Sequence, residues 1–195
     1  SHLDYAGAHG IYYYVSPTGQ PEQVAVGIFC NFTGRAYESS AASGRLVALM
    51  YWYQSVYYAV QRRDDLRRVT LPPAVRSGAM TELYTAAATV IAGKIARLRS
   101  PYCLRNQEPG PDGGARLNEL TDLIMLGGER FMEEYAPARA GLAELLRAAS
   151  AESRDWARVV DVAFASHVRK HWRDVAVWSR LAQSGDIPAE DVAVL

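Results

Sequence analysis

The sharpest local cluster of reactive side chains in this chain is His167-Val168-Arg169-Lys170-His171-Trp172-Arg173-Asp174. Spacings of four and three put His167, His171 and Asp174 on one helical face, and two imidazoles with a carboxylate make a ligand set for a divalent metal. Such a site needs a third or fourth ligand, with Glu129 or Glu133 as candidates, and outer partners that fix the imidazoles. The two histidines also interrupt the stripe of Trp156, Val160, Phe164 and Trp178, where they would serve as hydrogen-bonded residues between apolar neighbours. Apart from this one metal option, no cofactor is expected.

A second group lies near the start. Gly10-Ile11-Tyr12, Val26-Gly27, Asn31-Phe32 and Arg35, the last eight residues after Gly27, resemble the opening of the GIY-YIG nucleases. The resemblance implies that Tyr12 activates the nucleophile, that Arg35 holds the scissile phosphate and that Glu82 is the metal-binding carboxylate. It covers only residues 10–35, Ala25 stands where the second tyrosine is expected, and the two halves of the motif are further apart than usual. A net charge of zero also works against duplex binding, whose affinity rests on phosphate contacts. Read from the residues alone, the segment is a β-hairpin covering a helical core.

Neither cysteine adds chemistry. Cys30 and Cys103 lie in no Cys-x-x-Cys or Cys/His cluster and read as small buried hydrophobes. The only glycine-rich string, Gly110-Pro111-Asp112-Gly113-Gly114, lacks the Lys-Ser/Thr of a phosphate loop.

The aromatic segment is more telling. Tyr51, Trp52, Tyr53, Tyr57 and Tyr58 are five rings in eight positions, and on a helix they cannot all point into one core. One or two should reach a groove or a partner, because Tyr and Trp bury large areas with few rotatable bonds. Arg62, Arg63, Arg67 and Arg68 follow directly and would form a polar rim or a contact for an acidic ligand. Residues 61–105 hold nine basic residues against Asp64, Asp65 and Glu82, a local +6, while residues 106–195 carry ten basic against fifteen acidic, a local −5. An exposed basic block of this kind attracts phosphates or an acidic surface.

The elements that position these residues change period near residue 40. Ile11–Val15 and Val24–Phe32 flank Ser16-Pro17-Thr18-Gly19-Gln20-Pro21, which predicts a hairpin over 10–32. From Ser40 the spacing is helical, with Leu46, Leu49, Met50, Tyr53, Tyr57 and Val60 on one face. Leu71-Pro72-Pro73 ends that region, since proline lacks an amide proton and restricts its predecessor. A second helix is predicted over Ser77–Arg99, with Lys94, Arg97 and Arg99 suiting the negative end of its dipole. Ser100–Gly114 reads as an exposed loop, within an expected loop region of 100–115. Arg116–Tyr135 is helical with a kink at Gly127-Gly128, Pro137 opens a short helix, and a long helix spans Glu152–Ala182.

These observations predict a mainly α single domain over 3–195. It would be an irregular bundle of five to six helices, with the hairpin at 10–32 and a helical body over 40–184. The apolar stretches are too interrupted by charge to span a bilayer, and two cysteines fit an intracellular setting, cytoplasmic or nuclear. The expected function is a non-catalytic interaction or adaptor module, with a dimer among its expected forms. It would bind a protein partner or a second copy through the aromatic helix and its arginines, with nucleic acid a lesser option. The alternatives are a metal-dependent hydrolase at His167, His171 and Asp174, or a divergent nuclease at Tyr12 and Arg35.

Overall fold

A computed structural model describes residues 3–17, 24–27, 35–53, 56–106 and 128–169. Its spine is a pair of long parallel strands, β1 (Tyr5–Pro17) and β4 (Lys94–Asn106), in register from Tyr5 opposite Lys94 to Val15 opposite Asn106, with shifts near Tyr5, His9 and Ile11. Two short strands join β1 antiparallel: β2 (Val24–Gly27) at Tyr14–Pro17, as the hairpin reading expects, and β3 (Val60–Gln61) at Gly7 and Ala8. The result is a four-stranded mixed sheet.

Between β1 and β4 the chain builds the helices that the parallel pairing requires as a crossover. These are α1 (Ala42–Tyr51), a 3-10 turn at Val56–Tyr58, the single turn α2 (Arg63–Leu66) and α3 (Gly78–Ala92). After β4 come α4 (Gly128–Ala148) and α5, helical over 156–169. α3 is the centre: every residue from Leu83 to Ile91 is buried, as expected of a helix that is apolar all round. It packs against α1, α4, β1 and β4. Small side chains at Ala86, Ala87 and Ala88 allow those neighbours to approach closely. α4 runs through Pro137 and closes on α5 where Asp161 accepts from the Tyr135 hydroxyl at 2.7 Å and from Arg139 Nε and Nη2 at 2.6 and 2.8 Å. The Arg139 guanidinium holds the Asp161 carboxyl below the usual carboxylate range.

The predicted helical bundle is therefore corrected. The sheet is not a short cap on a bundle: its β1–β4 spine runs through the fold, and α3 packs on both spine strands. The helix expected over 77–99 stops at Ala92, and Lys94–Asn106, read partly as helix and partly as exposed loop, is strand β4. Residues 107–115 of the expected loop lie outside the described residues. The helix expected from Ser40 past Val60 stops at Tyr51, and Val60 is in a strand. Pro137 lies inside α4 rather than opening a helix of its own.

Gly93 makes the change from helix to strand possible. Its backbone is extended, so the constraint is space: a Cβ there would lie 2.8 Å from the amide nitrogen of Ala6 and 3.0 Å from the Asp4 carbonyl. Both are backbone atoms, one in β1 and one just before it, which cannot yield without loosening the spine. Gly93→Ala is expected to lower the unfolding free energy by about 2 kcal/mol through overpacking, read as a lower urea midpoint with an unchanged slope.

Candidate interaction surface

The structure sorts the aromatic cluster into inward and outward rings. α1 ends when the Trp52 amide donates to the Ala48 carbonyl and the chain leaves the helix. His167 of α5 is fully buried and donates from Nδ1 to the Met50 carbonyl at 3.3 Å, serving an acceptor that the helix end leaves open. Tyr53 turns inward: its ring meets the His167 ring edge-on at 5.0 Å, and its hydroxyl donates to Glu82 at 2.8 Å. Tyr51 and Trp52 turn outward, 55% and 42% exposed, and touch each other edge to face at 4.8 Å. Tyr57 is also 42% exposed and meets the half-buried Tyr58 at 5.2 Å.

The first outward pair has an arginine against it. The guanidinium carbon of Arg35 lies 3.8 Å from the centre of the Trp52 ring, a cation–π contact. Arg35 is held from behind by buried His9, which donates from Nε2 to its carbonyl at 3.0 Å; burial pulls the imidazole below its ordinary pKa and keeps it neutral. Gln61 ties Tyr57 to the arginine block by donating to the carbonyls of Val56 and Tyr57 at 3.3 and 3.1 Å. Arg62 extends β3: its amide donates to the Ala6 carbonyl at 2.8 Å and its Nε to the Tyr5 carbonyl. Arg63, Arg67 and Arg68 are exposed, and the pairs Arg63–Asp64 at 3.4 Å and Arg68–Asp65 at 3.9 Å are solvent-screened contacts. Beside Arg62, Val60 is 67% exposed and joins Ala8 and Ala96 in a shallow apolar concavity of about 490 Å3.

The other candidates are placed differently. Glu129 and Glu133 are exposed, His171 and Asp174 lie outside the described residues, and among the described residues no group of His, Cys, Asp and Glu could hold a metal. Tyr12 pairs with Cys103 across β1 and β4, Arg35 lies in an irregular segment before Tyr37, and Glu82 is on α3 with Tyr53. Arg35 and Glu82 thus have different neighbours. Cys30 is outside the described residues.

Sequence reasoning missed Arg35 as part of the aromatic surface. Nothing local announces it, because its partner Trp52 is seventeen positions away and its anchor His9 is twenty-six away. Comparison with known protein families, curated proteins and solved structures finds no match to this chain. No helix among the described residues is long and apolar enough to cross a membrane.

Proposed function

We propose that this protein is a non-catalytic interaction module, and that its partner is an acidic protein segment carrying apolar side chains. The observation that carries this reading is the outward exposure of Tyr51, Trp52 and Tyr57, with the Arg35 guanidinium over the Trp52 ring. Large rings left in water are costly unless something covers them, and Tyr, Trp and Arg are the residue types that dominate binding energy where surfaces meet. The apolar concavity beside Arg62 adds a place for side chains between the partner's carboxylates. Arginine suits the carboxylates because its planar fork donates two parallel bonds.

A peptide of glutamates interleaved with leucines tests the reading by calorimetric titration. The native chain should bind it, more weakly as salt rises. Trp52→Ala should weaken binding by roughly 30-fold, the size expected when a central aromatic contact of about 2 kcal/mol is removed. Replacing Arg67 and Arg68 with alanine should weaken it further and flatten the salt dependence. The reading fails if these variants bind as the native chain does. It also fails if the native chain is a dimer in solution that Trp52→Ala separates, since a second copy would then be covering the rings.

A further inference from the structure

We infer that Thr70 is a phosphate acceptor for a basophilic serine/threonine kinase, and that the phosphate switches off the arginine surface; this regulatory role rests on the binding reading above. The sequence Leu66-Arg67-Arg68-Val69-Thr70-Leu71 places two guanidinium groups three and two residues before a hydroxyl and an apolar side chain directly after it. A kinase whose cleft is lined with carboxylates selects such a segment, because paired arginines dock bidentately and the following residue fills an apolar recess.

The structure presents this segment as a kinase cleft needs it. Arg67, Arg68, Thr70 and Leu71 are all exposed, and residues 69–72 belong to no helix or strand. Pro72 disfavours helical backbone at Leu71, so the chain leaves Thr70 toward an extended course that a second molecule can engage. Upstream, the arginines follow the four-residue α2, and the half-buried Val69 packs on the core, which leaves the Arg67, Arg68 and Thr70 side chains on the exposed side. Ser100 offers a contrast: it also follows arginines, at 97 and 99, but sits inside the long strand β4, in the irregularity between the His9–Arg97 and Ile11–Pro101 pairs and flanked by pairing to β1 on both sides.

In the transfer, Thr70 Oγ1 forms a bond to the γ-phosphorus of ATP as the bond from that phosphorus to the bridging β,γ-oxygen breaks. ADP leaves with the electron pair, and the hydroxyl proton passes to the kinase's carboxylate. Arg62, Arg63, Arg67 and Arg68 against Asp64 and Asp65 leave a local +2. A phosphothreonine brings about −1.5 to −2, which cancels that charge where an acidic partner would dock.

The folded full chain is incubated with the catalytic subunit of cyclic-AMP-dependent protein kinase and Mg-ATP, and the products are mapped by peptide mass spectrometry. One phosphate on Thr70 is expected, with none on Thr70→Ala and about tenfold lower kcat/KM for a variant carrying Arg67→Ala and Arg68→Ala. The phosphorylated chain should then bind the glutamate–leucine peptide about tenfold more weakly, while Thr70→Ala binds as the native chain does. No incorporation, incorporation at Ser100, or modification only after unfolding overturns the acceptor assignment. Clean phosphorylation of Thr70 with unchanged peptide affinity overturns the switch. Failure of the unmodified chain to bind the peptide overturns the binding reading and leaves the acceptor assignment standing on the mapped phosphate.

Discussion

Replacing Arg45 with methionine lowers the unfolding free energy by about 4 kcal/mol, among the largest losses expected from one substitution here. Arg45 is 6% exposed, and its guanidinium donates to four backbone carbonyls. It donates from Nε to the Val90 carbonyl at 2.6 Å and from Nη2 to the Ile91 carbonyl at 2.9 Å, both in the last turn of α3. Nη1 reaches the carbonyls of Ser39 and Ser40 at 2.7 and 3.1 Å, just before α1. A single cation thus serves acceptors that a helix end leaves open and sits at the negative end of the α3 dipole. Burial pulls the guanidinium below its ordinary pKa, but an arginine starts so high that it stays charged. Methionine keeps much of the volume and strands four carbonyls, which carries the cost. Lysine keeps the charge, but one ammonium cannot match the planar fork, so Arg45→Lys should recover less than half of the loss. Urea unfolding followed by circular dichroism measures both, and a loss below about 1 kcal/mol for the methionine variant would show that water replaces the guanidinium.

Arg45 also shows where sequence reasoning stopped. In the chain it is a charged residue beside Leu46, and nothing nearby marks it as the partner of helix-end carbonyls 45 and 46 positions later. Lys94, Arg97 and Arg99 occupy the places where local logic expects the cations for that end, but they belong to β4, with Lys94 paired to Asp4 at 2.7 Å. The apolar face of α1 was legible because Leu46, Leu49 and Met50 are buried by spacing alone. The antiparallel pairing of β1 with β2 was legible for the same kind of reason, through β-branched and aromatic runs around turn residues. The parallel pairing of β1 with β4 was not, because its strands are separated by some 76 residues that include three helices and two short strands, and Ile95 and Leu98 fit a helical period as well as a strand. The five rings could be counted in the sequence as too many for one core. Which turned inward could not, since Tyr53 is chosen by Glu82 and His167, residues 29 and 114 positions away.

At the opposite end of α3, Glu134→Ala should cost about 3 kcal/mol. The Glu134 side chain comes from α4 and is 7% exposed. It accepts from the amides of Arg76 and Ser77 at 3.1 to 3.3 Å and from the Ser77 hydroxyl at 2.7 Å. Ser77 in turn accepts from the Met80 amide at 3.2 Å, so two side chains from different helices together close the start of α3. Alanine leaves those donors without the carboxylate and removes the negative charge from the positive end of the dipole. Glu134→Gln keeps one carbonyl oxygen but turns an amide group toward other donors, and should lose about half as much. Because Ser77 and Glu134 share a bond, their alanine variants should couple by about 1 kcal/mol in a double-mutant cycle; additive losses would mean that each caps the helix alone. The arrangement bears on function as well. A buried helix N-terminus commonly attracts an anion, and here the chain supplies its own, just as Arg45 neutralises the other end from within. Both ends of the central helix are satisfied internally, so the acidic-partner recognition proposed above rests on exposed guanidinium groups and not on this helix.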